Sequence, residues 1–554
     1  MSGTIYSKHY NARATSQSEP IPGSTQVKNS GGGFSFKVDD WTRLDRFLIL
    51  GSEGGTYYAS ERKLTVENAE ATLRCLKLDG ARTVNRVVEI SEAGRAPKND
   101  PALFVLAMAA GLGGDSTKKS ALSVISRVAR ISTHLFTFIE NVQGFRGWGR
   151  GLRRSVGNWY NDKDINDLAY QVVKYRQRNG WSHRDVLRLS SPTPTSDSHN
   201  ALYRWVVAPD RLESRTILRR PTKSAPVKAT NYEAVNKALL PHIIEAFESI
   251  QNSESADDAA RILRDNPKLS WEMVPTNFLG DRDVWGALLP NLPMTALIRN
   301  LVRMTANGLV AEMSDAAKNI VARLSDQEAI RKSRLHPASI LSALVTYESG
   351  RGQKGSLMWT PVGGVIDALN EAFYLSFGNV TPTNKRVVLA LDVSSSMESG
   401  TIAGMGGLTP RVGSAAMALV TANTEPNHSI IAFSDTMVPV NITKKQRIDD
   451  VVKMVRNLSF GGTDCAQPMI WAMNGGIDAD IFVIYTDSET WVGRIHPAQA
   501  LKEYRDKTGI PAKLVVVGMV SNEFSIADPD DGGMMDVCGF DIATPQLISD
   551  FMTE

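Results

Sequence analysis

Cysteine is scarce in this chain: three residues among 554, Cys75, Cys465 and Cys538, lie far apart and form no CxxC pair. That excludes a disulfide framework and a zinc ribbon and fits a reducing compartment. Long apolar runs are missing as well. The longest, such as Pro101 to Leu112, fall short of the roughly 20 residues that a bilayer-spanning helix needs. Polar residues stand at the N-terminus where a signal peptide needs an apolar core, so an intracellular, cytoplasmic protein is expected, with no membrane partner. There is no G-x-x-x-x-G-K-[ST] loop to cradle nucleotide phosphates and no G-x-S-x-G elbow for a nucleophilic serine. RNP1, KH-type GXXG and zinc-finger patterns are absent too, which removes the small modules they mark.

What is present divides along the chain. A length of 554 residues exceeds one hydrophobic core and implies at least two domains. The formal net charge of +3 hides an asymmetry: residues 381–554 carry 13 Lys+Arg against 21 Asp+Glu, leaving 49 against 38 for residues 1–380. The first part is therefore the one that attracts a polyanion. Residues 1–33 are rich in Ser, Gly, Asn and Thr and end in Gly31-Gly32-Gly33, a composition that cannot order itself and predicts a flexible arm. From Trp41 to Phe377 apolar residues recur at helical spacing, as in Asn231–Ile250, Ala256–Asp265, Val284–Met304 and Pro337–Tyr347, and predict stacked helix pairs of HEAT-like type over residues 34–377. The linker-like stretch Ser376–Asn384 ends this pattern. Beyond it, in residues 378–554, short β-branched runs (Arg386–Val393, Ser429–Phe433, Ile481–Tyr485, Lys513–Val517) alternate with helical patterns (Arg411–Thr421, Arg447–Asn457, Gln467–Asn474, Pro497–Lys507). That alternation predicts an α/β doubly wound, mostly parallel sheet.

At the end of the first of those strands, Asp392-Val393-Ser394-Ser395-Ser396 places one carboxylate and two hydroxyls at alternate positions. This D-x-S-x-S spacing is the heart of a metal-ion-dependent adhesion site, and its other two parts follow in order: Thr463 in a Gly-Gly-Thr-Asp loop before a helix, and Asp487 at the end of the strand IFVIYTD. Hard oxygen donors with few charges suit Mg²⁺ first, then Mn²⁺ or Ca²⁺. Ser394, Ser396 and Thr463 are expected to coordinate directly, Asp392 and Asp487 directly or through water, with one open position for an acidic group of a partner. Asp464 reads as an N-terminal helix residue and Cys465 as a packed thiol. His428 and His496 have no supporting residues as bases, so catalysis is not expected.

Between Gly144 and Lys228, 17 Lys+Arg stand against 7 Asp+Glu. Arg146, Arg150, Arg153 and Arg154 alternate with glycines and aromatics, a pattern suited to phosphates at close backbone approach. Further on, Lys174 and Arg178 lie four apart and are expected on one helix face, with Gly180 ending that helix. Ser182-x-x-Asp185 forms a capping box for the next helix, which puts His183 in a first turn that favours anions. The bland alternative makes these charges a solvated face, with Trp148, Trp159, Trp181 and His183 as packing or capping groups.

Arg46–Tyr58, Thr133–Phe138, Gly147–Arg154, Lys174–Leu189, Gly461–Ala466 and Tyr485–Trp491, taken in order, closely resemble the Ro autoantigen family: RNA-binding proteins with a TROVE module followed by a von Willebrand factor A domain. The resemblance implies a monomeric, closed ring of helical repeats joined by the A domain. It also implies a small noncoding Y-type RNA on the outer basic face, and single-stranded ends of misfolded RNA in the central hole. Lys174, Arg178 and His183 are then the foremost RNA-face residues, followed by Arg130, Arg150 and Arg154. An exoribonuclease tethered through RNA is an implied partner, and the ring itself is not a nuclease. The rival reading is a metal-dependent protein-binding scaffold with incidental RNA binding.

Overall fold

The protein is described by a computed structural model. It covers residues 13–53, 55–208, 215–218, 229–232, 236–352, 356–377, 382–402, 405, 407–438, 440–443, 445–458, 461–541 and 543–553. The chain forms two compact units, one of Met1–Asp79, Glu89–Pro101 and Pro293–Glu554, the other of Gly80–Val88 and Ala102–Leu292. Among the described residues no helix is long and apolar enough to cross a membrane.

In the first unit the C-terminal residues build a six-stranded mixed sheet in the order Met534–Cys538, Lys513–Gly518, Ile481–Thr486, Val387–Asp392, His428–Phe433, Met437–Val438. All neighbours are parallel except the two-residue edge strand Met437–Val438. The β-branched runs behave as expected for strands covered on both faces, since Val387–Asp392 and Ile481–Thr486 are buried throughout. Helices Pro410–Thr424, Ile448–Arg456, Gln467–Gly475 and Pro497–Thr508 fall where the periodicity places them. The chain leaves Val387–Asp392 for His428–Phe433 on one side and returns to Ile481–Thr486 on the other. The carboxyl ends of these strands thus flank a topological switch point, where doubly wound sheets hold their ligands.

Residues 13–33 are not a free arm. Gln26–Lys28 pairs with Phe34–Lys37, and Phe524–Ser525 adds to the other edge of Phe34–Lys37, all antiparallel. Gln17 is fully buried. Composition measures what a segment can bury against itself, whereas this one is ordered by hydrogen bonds to loops more than 400 residues away. Its glycines serve close approach: a Cβ on Gly33 would lie 2.1 Å from the Thr490 carbonyl oxygen. Residues 1–12 of the expected arm lie outside the described residues.

The helical region confirms Ala256–Asp265 and, as Pro337–Glu348, the pattern at Pro337–Tyr347. Two expected helices are interrupted by proline, which lacks the N–H that a continuing helix needs. Val284–Met304 divides into Arg282–Leu288 and Met294–Ala306, with Pro293 at the second N-cap. Of Asn231–Ile250, the start lies in strand Ala229–Tyr232, a short 3-10 turn covers Lys237–Leu239, and a helix runs from His242 to Gln251 after Pro241.

Helix Asp40–Leu50 begins at the Asp39 cap and ends at Gly51, whose φ of 67° suits glycine. Its Arg46 is 1% exposed and forms a bidentate pair with Asp536 at 2.7 and 2.8 Å, while its other terminal nitrogen donates to the Asn522 and Phe524 carbonyls. Removing one partner of such a buried pair leaves an uncompensated charge, so Asp536→Ala is expected to destabilise the first unit by about 3–5 kcal/mol in urea denaturation. A change within about 0.5 kcal/mol, the range of surface substitutions, would contradict this.

Candidate metal centre and basic helical face

The five candidate metal-site residues are all buried, between 0% and 4% exposed. Asp392 ends the central strand. Its Oδ1 accepts the Ser394 N–H at 2.9 Å and its Oδ2 the Thr486 hydroxyl at 2.6 Å, so the D-x-S-x-S turn is folded back on its own carboxylate. The Ser394 and Ser396 hydroxyls are 3.1 Å apart, and the Ser396 hydroxyl also interacts with the Asp487 carboxylate. Thr463 joins through its loop: Ser395 Oγ donates to the Gly461 carbonyl at 3.3 Å, and the Trp491 and Val492 N–H groups donate to the Thr463 carbonyl at 3.0 and 3.2 Å. Asp464 is engaged as a helix-start acceptor for the Ala466 N–H and the Gln467 amide, and Cys465 is a buried free thiol.

Burial, and then the charge of Asp392, raise the Asp487 carboxyl above the ordinary carboxylate range. Burial likewise raises Asp392. Arg411 lies beneath, donating to the Val393 and Ser394 carbonyls, and offsets part of the charge on Asp392. No group of three or more His, Cys, Asp or Glu among the described residues is placed to hold a metal, so a cation here draws on hydroxyls as well as carboxylates. Two crowded, buried carboxylates beside the Ser394 and Ser396 hydroxyls form an oxygen-only cluster, which fits a hard divalent ion.

Two further residues at this centre lie outside the D-x-S-x-S, Thr463 and Asp487 pattern. Glu489, 2% exposed, accepts the Asn522 amide at 3.2 Å and the Gly31 N–H at 3.0 Å; burial, followed by the Asp487 charge, raises its carboxyl. Tyr58 brings its hydroxyl to Ser396, and burial together with Asp487 and Glu489 keeps it protonated.

In the second unit the basic residues sort by burial. Helix Arg150–Asn161 buries Leu152, Val156, Trp159 and Tyr160 and exposes Arg150, Arg153 and Arg154 at i, i+3, i+4 spacing. It packs on helix His183–Ser190, which exposes Arg184 and Arg188. None of these five arginines has an acidic partner among the described residues. Arg184 and Arg188 were not among the predicted RNA-face residues, although their i, i+4 spacing after the capping box was available as a signal. Arg146 is half-buried and donates to the Ala110 carbonyl at 2.8 Å, and so caps a neighbouring helix.

Three expectations from the second cluster are corrected. The capping box forms between Ser182 and Asp185, but His183 turns inward: it is 2% exposed, its Nδ1 is 2.8 Å from the Tyr160 hydroxyl, and its ring packs edge-on against Phe136. Lys174 and Arg178 do not share a helix. The helix ends at Lys174, and Gln177–Arg178 pairs with Trp181–Ser182 across Asn179 (φ 54°) and Gly180 (φ 76°), an Asn-Gly hairpin turn with both φ values positive. The Lys174 ammonium, 3.3 Å from the Tyr170 hydroxyl and 3.8 Å from Glu272, is already satisfied within the unit. Arg178 is exposed and, with Arg130, lies near enough to His134 to act on its charge. Trp159 is core, donating to the Ala129 carbonyl, whereas Trp148 and Trp181 are half-buried with ring centres 6.1 Å apart.

A helical region followed by an A-type domain, with a buried cluster of hydroxyls and carboxylates at the switch point of its sheet, defines the class of TROVE and von Willebrand A proteins. Residues 27–346 match the model of the TROVE domain and residues 386–552 that of the Ro60 vWA domain. The chain belongs to the Ro60 family. It is 39% identical over 528 residues to the RNA-binding protein RO60 of Deinococcus radiodurans, covering 95% of each chain. It is 38% identical over 590 residues to the RNA-binding protein RO60 of Caenorhabditis elegans, covering 95% of this chain and 90% of that one. The crystal structure of the Deinococcus radiodurans RO (RSR) protein aligns with a TM-score of 0.68 at 38% identity, over 93% of this chain and 99% of that chain.

Burial holds the His183 imidazole down to about 3, outweighing the nearby Tyr175 and Gln171 backbone groups that favour its charged form. A folded value below the unfolded 6.5 means that the unfolded chain takes up the proton first. Stability of the second unit is therefore expected to be greatest above about pH 6.5 and to fall as pH drops toward 3. His134, held down to about 4 by burial and then by Arg130 and Arg178, adds to the same trend. In an NMR titration of the folded protein the His183 ring should stay neutral at pH 5; a midpoint near 6.5 would contradict its burial.

Proposed function

We propose that this chain is the RNA-binding component of a cytoplasmic ribonucleoprotein and that it grips RNA phosphates through the exposed arginines of helices Arg150–Asn161 and His183–Ser190. The observation that carries the reading is the lack of acidic partners for Arg150, Arg153, Arg154, Arg184 and Arg188 among the described residues, in a chain whose relatives are named RNA-binding proteins. Guanidinium groups left unpaired on a packed helical surface suit a polyanion, because each phosphate contact releases a condensed counterion. The RNA classes proposed are a small structured Y-type RNA on this face and the single-stranded ends of misfolded RNA at the central hole implied by the family. The protein presents such RNA to a partner, for which an exoribonuclease tethered through RNA is the candidate, and does not cut it.

The proposal extends to the metal centre. Asp392, Ser394, Ser396, Thr463 and Asp487 would hold Mg²⁺, with Mn²⁺ or Ca²⁺ as alternatives, and the ion would supply a docking point for an acidic group. Asp392 and Asp487 bring the charge and the three hydroxyls complete an oxygen shell.

Sequencing of RNA crosslinked to the purified protein would name the ligand and place its contacts. Protein that carries no nucleic acid, and binds none when offered, would favour the protein-binding scaffold instead. In filter binding, the Arg150→Ala, Arg153→Ala, Arg154→Ala triple variant is expected to lose at least tenfold in affinity, and its salt slope should become shallower by about one for each lost phosphate contact. Lys174→Ala and His183→Phe are expected to stay within about threefold of the parent, since neither side chain offers a free charge. Equal loss from all three changes, or an unchanged salt slope, would contradict the assignment. Asp487→Ala is expected to abolish Mn²⁺ binding measured by calorimetry.

A further inference from the structure

The two loops that carry metal-site residues also hold the N-terminal segment. Next to Thr463, Asp464 accepts the Gln17 amide at 2.6 Å. After Asp487, the Ser488 carbonyl accepts the Ser35 hydroxyl at 2.8 Å, the Glu489 carboxylate accepts the Gly31 N–H at 3.0 Å, and the Thr490 carbonyl accepts the Asn29 amide at 2.7 Å. Gln17 spans both loops. Besides Asp464 it donates to the Ile495 carbonyl at 2.8 Å, and its Oε1 accepts the Thr490 hydroxyl and the Gly493 N–H. The Thr490 hydroxyl in turn lies 3.2 Å from the Thr463 carbonyl, so one buried network runs from the segment to the backbone of a metal-site residue.

Side chains that coordinate a metal are oriented by partners behind them, and losing such a partner weakens binding by roughly ten- to hundredfold. We propose that residues 15–35 are a working part of the metal centre: their docking positions the Thr463 and Asp487 loops for the cation, and the bound cation clamps the segment in place. The inference rests on the metal reading above. Coupling between the two events is reciprocal, so whatever the segment adds to metal affinity the metal adds to docking of the segment. Gln17 and Asn29 act as positioning residues.

Two measurements on the full chain test this. Mn²⁺ affinity, read from the electron paramagnetic resonance of the free ion, is expected to fall by about tenfold in Gln17→Ala and in Asn29→Ala and to be unchanged in Ser123→Ala, an exposed residue of the second unit. In the parent protein, hydrogen exchange of amides in residues 15–35 is expected to slow by about tenfold with saturating Mg²⁺, and Thr463→Ala should remove that difference. Unchanged Mn²⁺ affinity in both variants, or exchange of the segment indifferent to Mg²⁺ in a protein that binds it, would overturn the proposal. A parent protein that binds neither ion would overturn the metal reading itself. If the variants fail to fold, the exchange measurement on the parent protein decides.

Discussion

Polar groups buried near the start of the chain have their partners near its end. Arg46 is enclosed by Asp536, Asn522 and Phe524, Arg43 reaches Glu523 at 2.7 Å, Asn29 reaches Thr490, and Gln17 lies between Asp464 and Thr490. A guanidinium or amide taken out of water without partners costs several kcal/mol, so these residues are tolerated only if the A domain is folded against them. The first compact unit is for this reason discontinuous in sequence. The A domain shares this body with residues 13–79 and 89–101 and the helices after Pro293.

The two candidate sites present opposite electrostatic problems. At the sheet's switch point, carboxylates accumulate in a dry place with one arginine beneath them, and the balance calls for a cation. On the second unit's packed helices, Arg150, Arg153, Arg154, Arg184 and Arg188 are exposed with no acidic partner among the described residues, and the balance calls for anions. His496, the histidine of the A domain that is fully buried, bonds Gln26 at 3.1 Å and the Glu19 carbonyl at 2.8 Å, and so belongs to the docking of the N-terminal segment.

The elements that carry the candidate metal site were legible because its parts are local: D-x-S-x-S is a single turn after a strand, and Thr463 and Asp487 each follow a hydrophobic or glycine pattern of their own. Tyr58 and Glu489 were not legible, since nothing near them in sequence says that they meet at that turn. The basic surface was half legible. Charge density located the region, but which side chains face water depends on which side of each helix is packed: Arg150, Arg153 and Arg154 stand exposed, Arg146 is half-buried and His183 turns inward. The hairpin at Asn179-Gly180 differs from the expected helix end for another reason: the positive φ that an Asn-Gly pair permits serves equally as a helix stop and as a turn between strands, and here it makes the turn.

Sequence alone determined the class of each region and the positions of the sheet's main strands, because periodicity, turn residues and short motifs act over a few residues at a time. The docking of residues 13–33, the inward turn of His183 and the pairing of Arg46 with Asp536 were decided only in three dimensions. Each depends on a buried polar group whose partner is distant in sequence or on a packing face set by neighbouring helices. Composition and spacing carry no record of a hydrogen bond formed across hundreds of residues.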